Sequence, residues 1–346
     1  MAKHRAVMFL GMFVVAVLAL AAALPRPEGS GYHLMKKYQV GGEGFWDYLK
    51  MDSEARRLYI SRGTHVMVLN ADTGEVAGDI PNTDGIHGIA LAPELGRGFT
   101  SNGRSSTATI FDNKTLKIIG EAKTDAGPDG IIYDAASQRV FTFNGHGNSA
   151  TAIDAATGKV AGTIPLDGRP EFAAADGAGH VYNNLEDKSI VIQIDSKSLK
   201  VLNRWPLAPC ESPSGMAIDP EHRRLFIGCH NQMMAVMDAD TGKVVATPPI
   251  GRGVDANQFD PGTGLAFSSN GDGTLTVIHE DSPDKFTVVD NVQTQRGART
   301  MALDLKTHNV YLVSADFGAP PAPTADNPHP RPTMVPNSFV VLVYGK

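Results

Sequence analysis

Residues 218–229 read IDPEHRRLFIGC, and residues 234–250 read MAVMDADTGKVVATPPI. The first phrase runs from an apolar strand through an Asp-Pro turn into a basic residue and an apolar-aromatic strand. The second holds two further apolar runs joined at DTG, where the Asp side chain and the Gly supply what a tight hairpin needs. The unit is four antiparallel strands, and it recurs. MDSEARRLYIS from Met51, YDAASQRVFTFN from Tyr133 and LDLKTHNVYLVS from Leu303 repeat the first phrase closely. LAPELGRGFTSN from Leu91, ADGAGHVYNN from Ala175 and FDPGTGLAFSSN from Phe259 repeat it more loosely, which makes seven copies. VMVLNADTGEVAGDI from Val66 and ATAIDAATGKVAGTI from Ala150 repeat the second phrase.

A lone four-stranded sheet with two apolar faces can bury both only against neighbours. Repeats of about forty residues with period-two patterning therefore predict an all-β, seven-bladed β-propeller and exclude a helical solenoid. The two ends complete each other. YHLMKKYQV (32–40) reads as a fourth strand with no preceding three, and SFVVLVYGK (338–346) as a third strand with no fourth. Pairing them closes the ring and leaves no open end. At 346 residues one such domain, 32–346, accounts for the chain beyond its N-terminal segment, because each blade brings its own core. The 36 glycines and 22 prolines are spread along the chain, as many short turns require.

The RLYIS and RLFIG phrases, the DTGEV and DTGKV turns, and the proline-rich segment before SFVVLVYGK together resemble the YncE-like, YVTN-type β-propeller repeat family. The resemblance covers the whole chain after the N-terminal segment. It implies an exported seven-bladed propeller, in a family some of whose members are described as DNA-binding.

Lys3 and Arg5 precede an uncharged stretch of 18 residues, Ala6 to Ala23, with small residues at Ala19, Ala21 and Ala23. Residues 1–23 therefore read as a signal peptide and place the protein in the periplasm or otherwise outside the cytoplasm; an uncleaved N-terminal anchor is the alternative. No other membrane span is expected. Loss of Lys3 and Arg5 leaves 29 basic against 37 acidic residues, and so acidic a surface argues against nucleic acid as a partner. Cys210 and Cys229 are the two cysteines. They lie at adjoining strand ends of blade five and form a candidate disulfide in an oxidising compartment, with a thiolate ligand or free thiols as the alternatives. Covalent c-type haem is excluded because no CxxCH occurs.

In each blade the first strand lies beside the channel. Counting five residues back from the equivalent turn positions Asp52, Ala92, Asp134, Asp176, Asp219, Asp260 and Asp304 gives a ring at the channel mouth: Asp47, His87, Asp129, Glu171, Ser214, Asp255 and Arg299. Four converging carboxylates repel unless a cation, a proton or Arg299 offsets them. Asp129, Glu171 and Asp255 would suit a divalent cation with hard ligands, and His87 would admit zinc or iron. The competing reading makes these residues turn-formers lining a wet channel.

A second ring is expected from the loops joining the second and third strands, with Arg104, His146, Asn184, His230 and Asp316 alongside His65, Asn144, Asn231 and Asn270. His87, His146 and His230 could share a metal, although no local spacing such as HExxH supports it. His33, His180, His222, His279 and His308 fall on strands or opposite turns and read as structural. FGAPPAPTADNPHPRPTMVPN (317–337) interrupts blade seven and reads as an extended lid or partner contact, or as a brace over the ring closure. GxSxG, HExxH and phosphate-binding glycine loops are all missing, and the catalytic residues stay unassigned. The expected function is an exported binding or scaffold protein that holds a small ligand, a cation or a protein partner at the channel mouth. The alternative is a metal-assisted hydrolase or lyase at the same place, with His87 as acid or base and Arg299 polarising an anionic substrate.

Overall fold

A computed structural model describes residues 29–42, 44–324, 330 and 332–346. The apolar segment 6–23 and part of the proline-rich insertion, residues 325–329 and 331, lie outside the described residues. The strands form seven four-stranded sheets, each a blade of antiparallel neighbours. Blades one to six follow sequence order. Blade seven combines Met301–Asp304, Asn309–Ser314 and Val340–Gly345 with the N-terminal strand His33–Gln39. That strand pairs from His33 opposite Gly345 to Gln39 opposite Val340, the closure its pattern predicts. Among the described residues no helix is long and apolar enough to cross a membrane.

Seven apolar clusters fill the seven junctions between neighbouring blades. Tyr59, Val68 and Phe111 lie between blades one and two, and Phe226, Phe259 and Ile278 between five and six. Leu58 and Ile60 of blade one meet Tyr311 and Val341 of blade seven, which completes the ring. Each fully buried Leu, Ile or Phe contributes ~1.5–3 kcal/mol of transfer free energy, so the blades hold one another through these junctions.

The hairpin turns follow the sequence chemistry. Asp112, Asp154 and Asp238 each accept the backbone N–H three residues on, at 2.7–2.8 Å. Gly242 then takes a φ of 70°, and Trp205 covers it so closely that a Cβ would sit 2.1 Å from the indole.

At the opposite face of the ring a second device ties blades together. Arg56, Arg223 and His308 occupy the left-handed position before the second strands of blades one, five and seven, with φ of 55°, 58° and 61°. Each reaches back to the buried turn aspartate of the preceding blade. Arg56 pairs with Asp304, Arg223 with Asp176 at 2.8 Å, and His308 with Asp260 at 2.8 Å.

Candidate functional site

The ring residues stand at the starts of the innermost strands. In blades two to six the ladder between first and second strands slips at this place, between Ile86 and Ile89, Pro128 and Ile131, Pro170 and Ala173, Pro213 and Met216, and Val254 and Ala256. Such a bulge re-aims the side chain it carries. The residue after the ring position is Gly88, Gly130 or Gly215 in three blades, where a Cβ would lie 2.5–2.7 Å from the next blade.

Asp47, His87 and Asp129 converge, each offering one ligand atom within 4.8 Å of the others. His87 Nδ1 lies 2.7 Å from an Asp47 carboxylate oxygen and 3.6 Å from one of Asp129. Across the channel Arg299 donates to Asp255 at 2.8 Å. Burial pulls the His87 pKa down, but the Asp47 hydrogen bond and the charges of Asp129 and Asp47 more than reverse this, so it ends above its usual value. Burial pushes the Asp129 carboxyl up to about 6 against the opposing pull of His87, with Asp47 adding to the rise. Burial likewise pushes Asp255 to about 7 despite Arg299. Glu171 rises to about 9 through burial, the charge of Asp129 and a hydrogen bond with Glu186. His87, Arg299 and Arg169 are the positive groups at the mouth, with Arg169 bearing on Asp129 while ion-paired to Glu186.

Beneath the ring two aromatic residues stand where other blades carry glycine. Tyr48 of blade one and Phe172 of blade four meet at a centroid distance of 4.5 Å and bar the channel. The Tyr48 hydroxyl is buried without a hydrogen-bond partner. Burial and then the charges of Asp129, Glu171, Asp47 and Asp255 hold its pKa well above 10. Below the bar lies a cavity of about 330 Å³ lined by Tyr48, Phe172, Tyr133, Gln258 and Lys50.

With this geometry in hand, the chain is similar to several solved structures. A chain of hydrazine synthase from Kuenenia stuttgartiensis is 15% identical with a TM-score of 0.66, over 77% of this chain and 91% of that one. The RRP9 WD40 repeats are 9% identical with a TM-score of 0.73, over 92% and 99%. A chain of the mitotic checkpoint complex is 13% identical with a TM-score of 0.72, over 98% and 99%. The likeness is one of fold. No family model and no curated protein matches the sequence.

The propeller brings some sequence-expected residues together and separates others. Arg104 and His146 line a cavity of about 430 Å³ with His87, Asp129, Arg169 and Glu171, so two loops of the second ring do reach the first. Arg104 is ion-paired with Asp84 at 2.7 Å. His230 is exposed and outside that cavity, and the set His87, His146 and His230 does not form a ligand cluster among the described residues. Asn184 is buried and donates to the Ser214 carbonyl at 2.6 Å, while Asn144 and Asn270 are buried in hydroxyl networks of their own blades. Asn144 and Asn270 therefore serve their own blades, and Asn184 ties blade four to the backbone of the ring position in blade five. Asp316 is exposed beside the proline-rich insertion, where Gln295 donates to it at 3.2 Å. Ser214 donates to the Asp255 carbonyl.

The metal set read from sequence, Asp129, Glu171, Asp255 and His87, is split. Asp47 joins His87 and Asp129, whereas Asp255 belongs to Arg299 and Glu171 to Glu186. Cys210 and Cys229 are bonded as a disulfide, with Cα atoms 5.5 Å apart. At the base of the insertion Phe317 bridges to Met334, and its ring lies 6.1 Å from Trp46, next to Asp47. Sequence reading overlooked Tyr48, Phe172, Arg169 and Glu186. The signal for the first two was present, since they are the only aromatic residues at the position that follows each ring residue.

Proposed function

We propose that this propeller is an exported binding scaffold of the YncE-like type that takes up a divalent cation at its channel mouth. The observation that carries the reading is the convergence of Asp47, His87 and Asp129, whose ligand atoms lie within 4.8 Å of one another at the mouth. Asp47, His87 and Asp129 supply a mixed imidazole and carboxylate donor set, which suits manganese or zinc more than calcium. Export is supported by the basic start and apolar run of residues 3–23 and by the Cys210–Cys229 disulfide, a bond kept in oxidising compartments. Propeller neighbours that occur in protein complexes support a protein partner, for which the proline-rich insertion beside Trp46 is the nearest surface.

Calorimetry with Mn²⁺ and Zn²⁺ on chelator-treated protein tests the reading. Binding at the mouth is expected, and Asp47→Asn with Asp129→Asn should weaken it at least tenfold; the same affinity in that double variant refutes it.

Metal-assisted hydrolysis is the second reading. It is favoured by one observation, that Asp47 orients His87 through Nδ1 and leaves the other ring nitrogen for proton transfer. Turnover of a lactone or ester panel that disappears in His87→Ala would select it.

A further inference from the structure

The repeats expose an irregularity on the face opposite the mouth. At three junctions a basic side chain from the following blade meets the buried turn aspartate, as with Arg56 on Asp304, Arg223 on Asp176 and His308 on Asp260. At the junction of blades five and six the equivalent position is Gly264, with a φ of 67°, and no side chain reaches Asp219 from it. The group that blade six presents there is a second carboxylate, Glu280, on the strand Thr274–Ser282. Its side chain is 2% exposed, and neither carboxyl oxygen accepts a well-formed hydrogen bond from a backbone, hydroxyl or guanidinium donor. His222 completes the cluster from blade five, with Nδ1 2.8 Å from Asp219 and 3.2 Å from Glu280.

Two buried carboxylates that face each other with a single half-exposed imidazole between them carry a large desolvation cost. Arg224 lies close enough to bear on Glu280, but its guanidinium is committed to Asp238 at 2.7 Å and to Asp284 at 3.1 Å. At the junction of blades three and four Gly179 also stands in the cation position, and there one Asp134 oxygen accepts from the Ser137 backbone N–H and hydroxyl, the other is buried without a partner, and no second carboxylate joins it in a ligand cluster among the described residues. The departure at Glu280 is thus not the usual answer to a missing arginine.

We propose that Asp219, His222 and Glu280 bind a zinc-class divalent cation that staples blade five to blade six. Their three ligand atoms already lie within 4.8 Å of one another. One imidazole and two carboxylates are a donor set for such an ion, and His222, with 43% of its side chain exposed, gives solvent access and room for a water ligand. The ion takes the place that an arginine fills at other junctions.

The test uses the Asp47→Asn, Asp129→Asn protein, so that the mouth does not contribute, after removal of bound metal. Zn²⁺ titration by calorimetry should show one equivalent bound, and Co²⁺ should give visible absorption from a low-coordinate site. Glu280→Gln and His222→Ala should each weaken Zn²⁺ binding at least tenfold, and the exposed His222 makes the second variant safe for folding. Gly264→Arg should raise the melting temperature without metal and abolish the stabilisation by Zn²⁺. Arginine is tolerated in this conformation at 56 and 223, and a Cβ at 264 meets nothing closer than 3.6 Å. Absence of Zn²⁺ binding in the mouth-silenced protein, or binding that survives both ligand variants, overturns the proposal and leaves a proton-sharing carboxyl pair. Neither result bears on the mouth, which is assayed separately.

Discussion

Tyr48 and Phe172 come from blades one and four of a seven-membered ring, yet their rings touch at 4.5 Å across the axis. They do so because Gly88, Gly130 and Gly215 stand at the equivalent position of three other blades and leave the space open. The contact divides the channel into a charged mouth above and the cavity that holds Lys50 below.

The Tyr48 hydroxyl is buried and unpartnered under four carboxyl groups, so removing it relieves a cost. Tyr48→Phe should be neutral or stabilising by up to ~1 kcal/mol. Tyr48→Ala should destabilise by about 3 kcal/mol and connect the two compartments. Denaturant unfolding of both variants checks this, and a loss above about 1 kcal/mol in Tyr48→Phe would mean that the hydroxyl is bonded.

Carboxyl groups whose folded pKa lies above the unfolded value bind more protons in the native state than in the unfolded one. Their stabilising protonation is complete below about pH 4 and is lost as pH rises through the folded values, about 6 for Asp129, 7 for Asp255 and 9 for Glu171. His87, also raised, changes in the same direction. The melting temperature of metal-free protein should therefore fall between pH 5 and pH 9, and added Mn²⁺ should flatten the curve. Asp255→Asn should flatten it without metal.

Arg299 is ion-paired with Asp255 and brings a fixed positive charge to the mouth. Arg299→Met should tighten divalent binding at the mouth by roughly tenfold, since one pairing charge is removed. Calorimetry would show an unchanged affinity if Arg299 were only a solvated side chain.

The Cys210–Cys229 bond closes a loop with a sequence separation of 19 residues in blade five. Cys210→Ser with Cys229→Ser should cost about 3 kcal/mol. Equal unfolding midpoints for the oxidised and substituted proteins would refute it.

The fold was legible because turn chemistry is local. The DTG hairpins and the basic residue at or just before the start of the second strand in six of the seven blades repeat in the sequence, and the ring from Asp47 to Arg299 followed from counting. What that count could not supply was which members pair. His87 leans to Asp47 and Asp129 while Arg299 takes Asp255, a choice made by bulges and by rotamers across blades. Asn144, Asn184 and Asn270 looked like mouth residues because they occupy loop positions, but hydroxyls and carbonyls inside the blades claim them. Glu280 was invisible for the opposite reason. It sits in a strand that reads as ordinary, and only the partner across the junction makes it unusual.

Ring closure by His33–Gln39 against Val340–Gly345 also sets an order in time. On a ribosome adding ~5–20 residues per second, the first strand waits for tens of seconds before its partner exists. Until then six blades can stack while the seventh lacks its outer staves, and both flanks of the unfinished arc present unpaired backbone. Lys36 and Lys37, side by side in the waiting strand, are the charges that discourage it from joining a neighbouring chain instead. The strand His33–Gln39 is thus captured by a segment made about 300 residues later, so completion of the ring waits on the arrival of Val340–Gly345.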